Sequence, residues 1–203
     1  MRRLPGRRGP GFTLVEMAIV MLVLAVLLRL AMPSFGTWIA NQRLRTSAES
    51  ILHGLNTARG EAMRRNARVL FQMSDATGLS SWRVCAVDPD TLDCDALADP
   101  IMVRDGGEES VNARIGASTD AATLEPAAFA TALAPGAGMP GMVMFDGLGR
   151  TVLQAGWLNT LRFDARDTTI PADDERRLVV TVSANGAARM CDPRLQAGNP
   201  RAC

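Results

Sequence analysis

The 203-residue chain has no tyrosine, no lysine and a single histidine, and aromatic residues make up only 4% of it. So few rings leave little for base stacking, which argues against a single-strand or RNA-recognition surface. The formal charge is +1, with 22 basic residues, all arginine, against 21 acidic ones; a generic polyanion-binding domain is clearly basic. The sequence has no G-x-S-x-G, H-E-x-x-H, Walker or dinucleotide fingerprint, and its one imidazole, His53, falls beside the apolar stripe of a helix. No catalytic residue, cofactor or enzymatic role is expected from such a chain. Its length suits one core-forming domain with an appendage.

The near-neutral charge hides a segmented chain. Met1 to Gly11 carries Arg2, Arg3, Arg7 and Arg8, no acid, and Pro5, Gly6, Gly9, Pro10 and Gly11, so it cannot fold alone. Phe12 to Met32 then runs apolar, interrupted only by Glu16 and Arg29. As a helix it would rise about 30 Å, the thickness of a bilayer's hydrocarbon core. Arginines before the span and few just after it predict a cytoplasmic N-terminus and an exported remainder. The residues after Met32 offer no small-residue signal-peptidase site. A carboxylate in an apolar helix is costly, so Glu16 calls for a partner, whereas Arg29 can snorkel to the outer headgroups.

Gly11-Phe12-Thr13-Leu14-Val15-Glu16 resembles the type III signal of type IV pilins and pseudopilins. The resemblance implies cleavage by a prepilin peptidase between Gly11 and Phe12, N-methylation of Phe12, and an assembly role for Glu16. There Glu16 of an incoming subunit pairs with the Phe12 amine of a neighbour and sets axial register. It also implies an inner-membrane store, a periplasmic head, and partners among major and minor pilins or pseudopilins.

Pro33 lacks an amide donor and predicts a kink or break. Periodicity then resumes: Leu44, Ala48, Ile51, Leu55, Ala58 and Ala62 recur at three or four residues and form one stripe. The segment Met32-Pro33-Ser34-Phe35, with Ala58-Arg59-Gly60-Glu61-Ala62 and Arg64-Arg65-Asn66 further on, is similar to the first helix of the GspH/FimT group of minor pilins and pseudopilins. Arg43, Arg45, Arg59, Arg64, Arg65 and Arg68 outnumber Glu49 and Glu61 along this helix. A solvated face and favourable contact with the helix C-terminus account for most of that excess.

Beyond Asn66 the period changes to that of short strands: 68–73, 81–87, 101–104, 142–146, 157–164, 177–183 and 187–191. Asn185-Gly186 reads as a two-residue type I′ hairpin. Residues 106–141, rich in Ala, Gly and Pro, read as a long loop with one strand at 111–115. The expected class is α+β: a long helix, transmembrane in its first half and amphipathic in its second, packed on a β-sandwich-like head. The expected segments are 1–11 (leader), 12–33 (membrane or filament-core helix), 34–67 (amphipathic helix) and 68–203 (head with a tethered tail).

Four cysteines in an exported head suggest two disulfides with three connectivities. Cys85 and Cys94 flank a turn-rich stretch, and Cys191 and Cys203 flank an aperiodic tail, so Cys85–Cys94 with Cys191–Cys203 is the economical pairing. With no C-x-x-C pair and His53 remote, zinc is not expected. Asp88, Asp90, Asp93, Asp95 and Asp99 alternate like calcium ligands, but Asp93 stands where such a loop needs glycine, so the stretch reads as a solvated acidic loop.

The tail from Cys191-Asp192-Pro193 to Pro200-Arg201-Ala202-Cys203 is similar to that of FimU/FimT-type pilins, which favours a minor pilin of a type IV pilus, in the tip or priming complex. The alternatives are a type II secretion pseudopilin and a FimT-like DNA receptor for natural transformation. The receptor's Gly-Arg-x-Arg element is missing: Gly149-Arg150 is followed by Thr151 and Val152. Arg189, Arg194 and Arg201 are left as candidate phosphate contacts for weak, salt-sensitive binding. Losing the four leader arginines takes the chain from +1 to −3, which further disfavours strong general DNA binding.

Overall fold

A computed structural model describes residues 11–95, 97–107, 111–152 and 159–203, with residues 30–34 described by their backbone alone. Leader residues 1–10, and the start of the strand expected at 157–164, lie outside the described residues. Helix α1 (Leu14–Arg65) leads into β1 (Val69–Met73), β2 (Trp82–Ala86), β3 (Met102–Arg104) and β4 (Ala113–Ser118). Two short 3-10 turns follow, Ala121–Leu124 and Pro126–Ala130, and then β5 (Gly141–Phe145), β6 (Arg162–Asp167), β7 (Leu178–Val182) and β8 (Ala188–Cys191). The chain divides into two compact units, Met1–Trp38 and Ile39–Cys203.

Pro33 does not end the helix: the backbone is helical on both sides of it, from Leu14 to Arg65. A proline costs a helix one amide hydrogen bond and some crowding, which a long helix can absorb. At the far end the helix closes in a Schellman turn. The Ala67 amide donates to the Ala62 carbonyl at 3.2 Å and the Asn66 amide to Met63 at 3.4 Å. Asn66 takes the left-handed position, φ 49°, a conformation asparagine tolerates better than most side chains.

In the second unit the strands form two antiparallel sheets, ordered β3-β2-β1-β5 and β4-β6-β7-β8. One core joins them to the helix stripe. Leu44, Ala48, Ile51, Leu55, Ala58 and Ala62 are wholly buried against Val69, Phe71, Val143 and Phe145 of the first sheet and Ile115, Phe163, Val180 and Val182 of the second. Phe71 meets Phe163 edge-on across the sheets, centroids 6.0 Å apart. Gly54 belongs to this packing, since a Cβ there would lie 2.6 Å from the Phe71 ring.

Each sheet also has a covered outer face, which is why all five residues of β1 are buried. Leu70 and Met144 lie under the loop closed by Cys85–Cys94. On the second sheet Val179 packs with Phe129 of the 3-10 segment and with the Cys191–Cys203 disulfide. Of the three connectivities open to four cysteines, these two bonds are the ones present, and no free thiol remains.

Three sequence expectations need correction. The strand expected at 157–164 is β6, displaced to Arg162–Asp167; Asn159 and Thr160 instead bind the edge of β5, accepting the Met144 and Met142 amides at 2.7 and 3.0 Å. The strand at 111–115 is the longer β4, paired with β6 along all six of its residues. Its other edge is closed by the glycine-rich stretch: Gly136 donates to Ile115 at 2.9 Å and Ala117 to Ala137 at 2.8 Å. Much of the 106–141 region is thus ordered cover for the second sheet. The β7–β8 hairpin is not type I′, which needs positive φ at two consecutive residues. Only Gly186 has it, φ 78°, and the Gly186 amide bonds the Ser183 carbonyl at 2.8 Å while Ser183 bonds Ala187. That is a three-residue loop ending in a glycine bulge.

Candidate functional site

At its N-terminal end α1 begins with a side-chain cap. Gly11, Phe12 and Thr13 precede the helix and are exposed, Phe12 at 79%. The Thr13 hydroxyl accepts the Glu16 amide at 3.2 Å, so Thr13-x-x-Glu16 has the spacing of a capping box. The Gly11–Phe12 bond therefore lies outside the helix, in open chain. Glu16 is exposed on the first turn, where a negative charge suits the helix dipole.

From Leu14 to Leu28 the large apolar side chains are 48–86% exposed on every side of the helix. A helix apolar all round is one that a large core or a membrane encloses, rather than one that faces water. Among the described residues no helix is long and apolar enough to cross a membrane; the side chains at 30–34 are not among them. Arg29 is exposed at the end of this stretch.

The second half of α1 explains its own sequence pattern. In Ala58-Arg59-Gly60-Glu61-Ala62 the two alanines are wholly buried. Arg59 is not a solvated cation: its Nε donates to the Gly149 carbonyl at 2.9 Å and Nη2 to Asn185 at 3.4 Å, tying the helix to two loops of the head. Glu61 accepts from Arg64 at 2.6 Å and Arg65 at 2.9 Å. Its hydrogen bonds to Arg64 and then Arg65 pull its carboxyl down to about 2. Arg45 pairs with Glu49 at 2.7 Å. His53 and Arg68 are exposed.

A buried ionic cluster on the outer face of the second sheet was not foreseen from sequence. Arg162 and Asp164 are 1% and 0% exposed and pair at 2.7 Å; Arg177 reaches the other Asp164 oxygen at 2.8 Å. Arg162 also donates to the carbonyls of Thr123, Ala128 and Thr131 at 2.8–3.1 Å. It lies over the Phe129 ring at 4.9 Å, and Arg177 donates to the Phe129 carbonyl. Asp164 accepts the Leu133 amide at 3.0 Å. Burial pulls the Arg177 guanidinium below its ordinary range, against the attraction of Asp164. The cluster fastens residues 121–133 to the sheet. A signal was present: Arg162 and Asp164 alternate with the inward Phe163, so both must face the same way.

Arg189, Arg194 and Arg201 are all exposed. The tail folds back on the end of β8, the Asp192 amide donating to the Arg201 carbonyl at 2.7 Å. Arg194 is partly engaged, its Nη1 donating to the Glu175 carbonyl at 2.7 Å. In the acidic loop, Asp88, Asp93 and Asp95 each accept nearby backbone amides at 2.7–2.8 Å. Among the described residues no group of three or more His, Cys, Asp or Glu could hold a metal ion.

A family model described as type II transport protein GspH matches residues 47–186. The chain belongs to the GspH family. A prokaryotic N-terminal methylation motif matches residues 7–28, which include Gly11, Phe12 and Glu16. Two crystal structures of the type IV minor pilin FimU of Pseudomonas aeruginosa (strain PAO1) are similar to this chain. The first is 15% identical with a TM-score of 0.49, over 76% of this chain and 92% of that one. The second is 14% identical with a TM-score of 0.46, over 74% and 94%. Comparison with curated proteins gives no match. The GspH match runs from Ser47 in the packed helix through β1 to β7 but stops at Gly186, so β8, the second disulfide and the three tail arginines lie beyond it.

Proposed function

We propose that this GspH-family chain is a minor pilin of a type IV pilus. It is held in the inner membrane by α1 with its head in the periplasm, cut by a prepilin peptidase after Gly11, methylated on the Phe12 amine, and built into the tip or priming complex of a filament. The observation that carries the reading is the union on one chain of a methylation motif over residues 7–28 and a GspH head over 47–186. Its physical support is the exposed Gly11–Phe12 junction ahead of a helix whose apolar side chains from Leu14 to Leu28 are exposed all round. Glu16 is the residue that pairs with the Phe12 ammonium of an adjacent subunit, since two opposite charges in a low-dielectric helix bundle are favourable only together.

Co-expression with a prepilin peptidase tests this reading. The mature chain should begin at Phe12 and carry one added methyl group by mass spectrometry; an unprocessed chain would refute it. A second reading, a type II secretion pseudopilin, is favoured by the family model's own description. Complementation separates the two: restored piliation in a minor-pilin deletion supports the first, restored secretion in a pseudopilin deletion the second.

A further inference from the structure

Residues 29–46 belong to neither matched segment, and here the apolar run gives way to the amphipathic one. Two large rings stand at the end of the first compact unit: Phe35 is 61% exposed and Trp38 59%. They stack with centroids 5.8 Å apart and an interplanar angle of 25°. Three residues apart, they share a helix face. Trp82, by contrast, is enclosed, with its indole donating to Ser50 at 2.8 Å. Measured along the helix at 1.5 Å per residue, Phe35 lies about 32 Å and Trp38 about 36 Å from Leu14. With Leu14 at the inner boundary of a hydrocarbon core about 30 Å thick, both rings fall in the outer headgroup layer. That is where an amphipathic indole is most favourable, its ring among the upper acyl carbons and its N–H among polar groups. Arg29 is exposed about 22 Å along, within snorkelling reach of the same layer for a long cationic side chain. The apolar surface from Leu14 to Leu28 is exposed all round the helix rather than on one side, which suits a lipid surround better than a groove on one protein.

We propose that Phe35 and Trp38 form an interfacial anchor that binds the lipid headgroup boundary and fixes the depth of α1 in the membrane. This rests on the membrane-held reading above. The test uses the full chain reconstituted into phosphatidylethanolamine–phosphatidylglycerol vesicles, with Trp38→Phe as the reference that isolates the Trp38 emission by difference. The expected result is a blue shift of that emission relative to buffer, and a greater loss of it with lipids brominated near the headgroup than near the acyl terminus. A chain that floats with the vesicles while Trp38 emits as in water overturns the anchor and leaves the membrane reading standing. Stronger quenching by terminal bromines overturns it too, by placing the ring in the hydrocarbon. A chain that does not float with the vesicles overturns the anchor together with the membrane reading.

Discussion

The two ends of α1 are made of similar residues put to opposite uses. From Leu14 to Leu28 the apolar side chains surround the helix and stay exposed; from Leu44 to Ala62 six of them form one stripe, wholly buried in a core shared with both sheets. What differs is the polar residues. In the later stretch Gln42, Arg45, Glu49, Asn56 and Arg59 interrupt the apolar pattern on a helical period and leave a single face to bury. In the earlier stretch only Glu16 interrupts before Arg29, so no single protein face could satisfy it. Apolar content alone does not say where a helix ends up; the period of the polar interruptions does.

Matched truncations should split along this line, most strongly in the head. Leu55→Ala should lower the head's unfolding free energy by about 2–5 kcal/mol, read by denaturant titration. Leu22→Ala should leave it within about 0.5 kcal/mol. Equal losses at both positions would erase the contrast. Asp164→Ala, which strands two largely buried guanidiniums, should cost about 3–5 kcal/mol and speed hydrogen exchange in residues 121–133. Arg59→Ala should cost less, about 1.5–3 kcal/mol, with the protection lost around Gly149 and Asn185.

The smallest effect concerns pH. Glu61 is held down at about 2 against an ordinary 4.5 by Arg64 and Arg65. Its folded pKa is depressed, so the stability it contributes is complete above the ordinary value and is lost as pH falls from about 4.5 toward 2. Glu61→Gln should flatten the acid limb of the unfolding curve by a small amount, since the pair is solvent-facing. An unchanged limb would contradict this, since Glu61 would then bind its proton equally in the folded and unfolded chains.

Much of the helix and its stripe was legible because helical period is local: the six apolar stripe residues read from sequence are all wholly buried. Most strands were legible for the same reason, as apolar runs between turn residues. What was missed depends on distant partners. Arg59 reads as surface charge until the Gly149 and Asn185 carbonyls are brought to it across the fold. The cluster of Arg162, Asp164 and Arg177 is not legible in the sequence because the segment that covers it comes from another part of the chain. The hairpin failed on backbone detail, since Asn-Gly fits both a two-residue loop and the end of a three-residue one.

In the proposed function the first half of α1 serves other subunits and the second half serves the chain's own head. This division is tested most directly by following Glu16→Ala from membrane to filament, with antibody against the head in inner-membrane and sheared-filament fractions. The expected variant is inserted, cleaved to Phe12 and as stable in its head as the wild type, yet depleted from filaments. Undiminished incorporation into filaments would contradict it.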